Sequence, residues 1–297
     1  MKIFLGNVFL QVLSVVLSSM AMICYKLALI KCNPLFVLII SVLGSGSMAL
    51  VTLIIFRKMP LYTINYIELI QASLLNFLGL LLLIFSLDVL DPVVTTVLGR
   101  CSLLFSTIFA LVILKEKITK SSCVFSTIGL IGLILFLYND QLIFEKVYIS
   151  GIIFVLSYSF IFSYVWVILR KNSQKEDRIT FLSLVMILTL VFILFFISSI
   201  SCHKYIHYAI ENRNECILVI TGGILSFLSV LSFFYGIQNI KYTYAIFIRS
   251  LSPIVTMILS IPFFTLAFSA INIFGMVICF YSLISISIIN YKHHKYN

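Results

Sequence analysis

Along most of this chain the apolar residues neither alternate nor mark one helical face. They run together in long blocks that polar clusters interrupt. A helix rises 1.5 Å per residue, so a block of roughly twenty apolar residues matches the ~30 Å hydrocarbon core of a bilayer. The blocks and breaks predict ten membrane-spanning helices, near 5–29, 35–56, 66–87, 91–114, 121–138, 147–169, 179–200, 215–238, 241–264 and 267–290. Most links are short, so successive helices form antiparallel hairpins. Only 170–178 and 201–214 are longer polar segments, and the break at 264–267 is barely polar.

Five spans is an odd number, so a second set of five enters the membrane in the opposite sense to the first. The expected fold is therefore an all-α integral membrane protein, ten transmembrane helices arranged as two inverted five-helix repeats over residues 1–145 and 146–297. At residue level the halves share little. A shift of 149 sets Arg249 against Arg100 and Thr256 against Thr107, whereas Ser102 with Ser252 needs 150.

Composition removes the soluble alternatives. The chain is 62% hydrophobic and 10% charged, against about 25% charged for a soluble domain. The net charge of +10 would suggest nucleic acid only if topology were ignored, because the basic residues sit mostly in short loops between apolar blocks. With both termini on the cytoplasmic side, 13 of the 20 lysines and arginines face inward and 4 outward, leaving Lys26, Arg100 and Arg249 inside spans. The excess of positive charge sets this orientation, in the cell's inner or plasma membrane. The seven cysteines are scattered without a CxxC pair and read as small packing residues. No cleavable signal peptide is expected, since the first apolar block is too long and lacks a small-residue cleavage site.

Candidate chemistry lies in the few polar residues inside the blocks. A guanidinium in hydrocarbon costs several kcal/mol unless it finds a partner or water, and this sequence has two, Arg100 and Arg249, near the middles of the fourth and ninth spans. Thr96, Arg100 and Thr107 share one face of the fourth helix; Arg249, Ser252 and Thr256 share one face of the ninth. Two readings stay open: a polar cavity holding two cations, or arginines that cap carbonyls of a neighbouring helix or pair with Asp88 or Asp91. Asn76 in the third span suits either a helix contact or a ligand contact. Tyr158 stands beside a hydroxyl stripe, Ser159 and Ser163, in the sixth span, near Trp166 and Tyr164. Gln11, Ser14 and Ser18 form a similar stripe in the first. Lys26, at its helix end, is expected to snorkel. Pro253 and Pro262 should kink the ninth helix, and Gly129, Gly132, Gly222 and Gly223 should allow close helix packing.

Enzyme chemistry finds no support. There is no Walker loop, nucleophile elbow or HExxH. His203 and His207 have i, i+4 spacing but lack a third ligand nearby, so neither a metal nor another cofactor is expected. No Asp or Glu lies deep in a span, which argues against a carboxylate proton relay.

The stretch RCSLLFSTIFALVILKEKIT, followed by the glycines of STIGLIGLILF, resembles the ending of the first repeat in EamA-type proteins of the drug/metabolite transporter superfamily, with Glu116 at the glutamate of the charged turn. RSLSPIVTMILSIPFF followed by INIFGMVICF is similar to the second ending, with Pro253 and Gly275 in place. Leu103 stands where the first repeat often has proline, and FFTLAFS replaces the second charged turn, so the second repeat is degenerate. The resemblance implies a basket of ten helices around a central cavity, lined mainly by the third, fourth, eighth and ninth spans with help from the first and sixth. Members of the family move amino acids, nucleotide derivatives, sugars, drugs or other metabolites.

The expected function is secondary transport of a small metabolite, one carrying a carboxylate or phosphate for the two arginines. Its substrate-binding residues would be Arg100, Arg249, Thr96, Thr107, Ser252, Thr256, Asn76 and Tyr158. The alternatives are a broad exporter of amphipathic compounds that binds through aromatics, and a non-transporting scaffold or receptor subunit. The expected partners are the substrate and lipid but no nucleic acid, with a homodimer left open.

Overall fold

A computed structural model describes residues 2–56, 65–102, 105, 108–109, 120–137, 146–173, 178–198, 212–237, 249, 251–264 and 269–296. In chain order its bounded helices are α1 (Lys2–Leu29), α2 (Pro34–Phe56), α3 (Tyr66–Val89), α4 (Pro92–Gly99), α5 (Lys120–Leu137), α6 (Lys146–Ser173), α7 (Arg178–Ser198), α8 (Arg213–Ile237), α9 (Ser252–Ser260) and α10 (Ala270–Tyr296). No strand occurs among the described residues. Six of these helices (α1, α2, α3, α6, α7 and α8) are long and apolar enough to cross a membrane.

Helix starts follow local chemistry. Asn65 caps α3, its side chain accepting from the amides of Ile67 and Glu68, with Glu68 in the positive first turn. Asn33 Oδ1 accepts from Leu35 N at 2.9 Å, just ahead of Pro34, and the tight turn at 30–33 makes α1 and α2 a hairpin. Pro92 opens α4, where a missing N–H costs nothing.

Packing shows a regularity that no residue-by-residue alignment reveals. α1 packs on α8 as α3 packs on α6; α2 touches α8 as α7 touches α3; α1 meets α9 as α6 meets α4. The pairs α2–α7, α4–α9 and α5–α10 complete the set. Exchanging each helix with the one five places along maps each of these pairs onto another or onto itself, whereas α2–α3 and α1–α3 have no counterpart of similar extent among the described residues. Apolar cores fill these contacts, one among α1, α2, α3, α7 and α8, a second among α3, α6, α7 and α8, and a third where α4 meets α5 and α6. Many large apolar side chains face outward instead, among them Ile54, Ile55, Ile67 and Phe195, as lipid-facing surfaces require.

Glycines set the closest approaches. A Cβ on Gly223 of α8 would collide with the Ser41 carbonyl of α2. One on Gly275 of α10 would strike the backbone of Gly132 and Phe136 in α5. The packing role expected for Gly132 and Gly223 thus has a geometric cause.

The ninth span is interrupted beside Pro253, where a kink is expected. Leu251 forms a turn, Pro253 sits at the second position of α9, and Pro262 lies just beyond its end, so the prolines bound this helix. The fourth span, whose described residues hold no proline beyond Pro92 at the helix start, is unexpectedly interrupted at Arg100. There the backbone N–H bonds to the Val97 carbonyl, three residues back, at 3.0 Å, a 3₁₀-type tightening directly after Gly99. Helical conformation resumes at 101–102 and holds at 105 and 108–109.

Lys26 also departs from expectation. Rather than reaching for water, its Nζ donates to the carbonyls of Leu87 at 2.8 Å and Asp88 at 3.1 Å. The last carbonyls of α3 lack intrahelical partners and carry the negative end of the helix dipole, so an ammonium is a good cap.

Candidate functional site

The interruption at Arg100 and the turn at Leu251 meet where α4 packs against α9. Between them and α1, α6 and α8 lies a cavity of about 120 Å³. Arg100, Arg249 and Ser252 contribute its cationic and polar wall, with Thr95, Thr96 and Ser102 from the fourth span and Ser18 and Ser19 from α1. Tyr158, Phe162 and Trp166 of α6 and Phe233 of α8 form an aromatic wall.

The two arginines are held differently. Arg100 reaches across to the ninth span, donating from one terminal nitrogen to the Arg249 carbonyl at 2.9 Å and from the other to Ser252 Oγ. Its buried Nε has no hydrogen-bond partner. The guanidinium of Arg249 lies between two rings, its central carbon 4.3 Å from the Trp166 centroid and 4.5 Å from that of Phe233. Both distances are well inside the ~6 Å reach of a cation–π contact. Trp166 and Phe233 themselves meet edge to face, 5.2 Å apart, and Gln11 of α1 fixes the Phe233 backbone by donating to its carbonyl at 3.0 Å.

Hydroxyls support the wall from behind. Ser159 of α6 donates to the carbonyls of Val155 at 2.7 Å and Gly99 at 3.4 Å, and Ser163 to those of Ser102 at 2.7 Å and Ser159 at 2.5 Å. α6 therefore solvates the fourth span's backbone on both sides of its interruption. On the other flank Thr256 Oγ1 donates to Ser19 Oγ at 2.9 Å, and Ser14 and Ser229 exchange bonds between α1 and α8.

Of the predicted site residues, Arg100, Arg249, Thr96, Ser252 and Tyr158 come together on the cavity. Thr256 is fully buried one layer back, against Ser19. Asn76 is elsewhere: its amide donates to Thr189 Oγ1 of α7 at 3.1 Å, which makes it a contact between α3 and α7. Thr107, Leu103, Glu116, His203 and His207 lie outside the described residues. The expectation that the third span lines the cavity is also revised, since no residue of α3 does so. α3 stands behind α6, where Gly79 faces the Phe162 ring. Missed in the sequence were Thr95, whose buried hydroxyl has no partner, and the pairing of Phe233 with Trp166. A spacing argument reaches neither, because Phe233 and Trp166 lie on different helices.

These features define a multi-pass membrane protein whose helices enclose a polar cavity at the meeting point of two interrupted spans. The chain belongs to the EamA-like transporter family, which it matches twice, over residues 5–138 and 149–288. It is thus a membrane transporter of the drug/metabolite transporter superfamily and not an enzyme. Of solved structures, 27 chains match. One, described only as "Crystal structure of protein", has a TM-score of 0.65 at 11% identity, covering 95% of this chain and 96% of that one; at that identity the likeness is one of fold alone. No curated protein matches the sequence.

Proposed function

We propose that this protein is a secondary transporter that carries a small anionic metabolite across the cell membrane by alternating access of its two halves, residues 1–145 and 146–297. The observation that carries the proposal is the cavity's charge. Two guanidinium groups line it, and no carboxylate does so among the described residues. Two cations in a low-dielectric site repel each other, so a carboxylate or phosphate relieves the site as it fills it, through charge-assisted hydrogen bonds. Cavity size argues for a compact cargo, because an engineered cavity of about 150 Å³ in another protein holds benzene and this one measures about 120 Å³. Alternating access draws support from the main helix pairs, α1–α8 with α3–α6, α2–α8 with α3–α7 and α1–α9 with α4–α6, which map onto one another when each helix is exchanged with the one five places along. Ten spans with both termini in the cytoplasm remain the topology that the distribution of lysine and arginine favours.

A second reading has its own observation. Tyr158, Phe162, Trp166 and Phe233 line the same cavity, which suits a broad exporter of amphipathic compounds. Flux through proteoliposomes separates the readings. A carboxylate or phosphate compound should move faster than its neutral amide or ester analogue of equal size. Equal rates for both would favour the aromatic-lined exporter, and no flux of any compound would favour a scaffold.

A further inference from the structure

In an uninterrupted helix the carbonyl of Arg249 would accept from the N–H four residues on. That residue is Pro253, which has none. A carbonyl left without a donor inside a membrane is costly, because no water is there to replace the lost bond, and in this protein a donor comes from the other half of the chain. Arg100 fills the gap from 149 residues away, at 2.9 Å, and takes Ser252, the residue before the proline, with its second terminal nitrogen. The same guanidinium lines the cavity.

We propose that Arg100 is a ligand-sensitive latch: it stands in for the N–H that Pro253 lacks, and an anion in the cavity competes for that guanidinium and so loosens the ninth span at its proline. The two arginines then have separate work. Arg249, held between Trp166 and Phe233, offers its charge to the cargo. Arg100 ties down the Arg249 backbone while the cavity is empty and meets the cargo when the cargo claims its guanidinium. A neutral donor such as serine could cap the carbonyl, but no anion would draw it away. Arginine does both because it is charged and has several N–H groups in a rigid fork. The ligand half of this inference rests on the anion-transport reading above; the structural half does not.

The test is a double-mutant cycle on the whole purified chain, read by thermal melting. Arg100→Gln should lower the melting temperature by several degrees. Pro253→Ala supplies an N–H at the gap, so on that background the same substitution should cost less than half as much. Arg100→Lys, which keeps a charged donor, should lie between and be rescued in the same way. Equal losses on both backgrounds overturn the latch, as does failure of the Arg100→Gln chain to fold on either while Arg100→Lys shows no rescue.

Benzoate and inorganic phosphate are the probes for the second half. With Arg100 released by the new N–H, Pro253→Ala should bind the active anion several-fold more tightly than wild type and turn over more slowly. Equal affinities would overturn ligand sensitivity and leave a static tie. If neither anion shifts the melting of any chain while the cycle still shows rescue, the anion-cargo reading fails, and ligand sensitivity with it.

Discussion

Arg249→Gln is the perturbation that weighs most directly on the cargo site. The side chain lies between the rings of Trp166 and Phe233 at 4.3 and 4.5 Å, which fixes where its charge points. A hydrogen bond to a charged group contributes about 1.5–3 kcal/mol, so removing the guanidinium should weaken anion binding about 10- to 150-fold. The two cation–π contacts contribute about 0.5–2 kcal/mol each, and their loss falls on stability rather than on cargo. Gln keeps part of the stacking area, so the melting temperature should drop by only a few degrees. Arg249→Lys retains the charge between the rings but offers a point in place of a planar fork, and should lose about tenfold in affinity. The assay is uptake of a labelled carboxylate into proteoliposomes across a concentration series, alongside size-exclusion profiles that establish intact protein. An Arg249→Gln protein with unchanged affinity for an anionic cargo would refute the assignment and make the aromatic wall the binding element.

Other consequences are independent of that one. Asn76→Ala should lower stability by about 1–2 kcal/mol through the lost bond to Thr189 while the transport KM stays at the wild-type value; a changed KM would return Asn76 to the site. Lys31 Nζ meets Glu215 at 2.8 Å, and that hydrogen bond, with the charge attraction behind it, raises the lysine above its usual pKa. A raised lysine contributes its stability fully below the ordinary lysine range and loses it as pH climbs through the raised value. The side chain is 68% exposed, so that contribution is small: Lys31→Gln should lower melting only slightly at neutral pH, and the difference from wild type should disappear toward strongly alkaline pH. A large loss at pH 7 would show the pair to be a structural lock. Reporters active only outside the cytoplasm, fused after residues 175 and 297, should be silent, and activity at either would reverse the proposed orientation.

The amino-acid sequence by itself determined the class of molecule. Unbroken apolar blocks with charge mostly at their ends leave lipid as the only solvent that fits, and two arginines inside such blocks mark a polar interior, because a charge in hydrocarbon is too costly to leave without partners or water. Local chemistry was legible too, as in the Asn65 cap, the glycines at the α2–α8 and α5–α10 contacts, and Pro92 at the start of α4. Tertiary structure alone decided what each polar group does. Asn76 and Arg100 look alike in sequence, each a hydrogen-bonding group within an apolar block, yet one is spent on Thr189 and the other faces the cavity. Which of these happens depends on the helix that packs alongside. Lys26 turned from water to the end of α3 for the same reason. The deepest instance is the carbonyl of Arg249. Sequence shows that Pro253 deprives it of a donor, but only the packing of α4 against α9 brings Arg100 there, since a hydrogen bond is decided by distance in space and the two residues stand 149 positions apart in the chain.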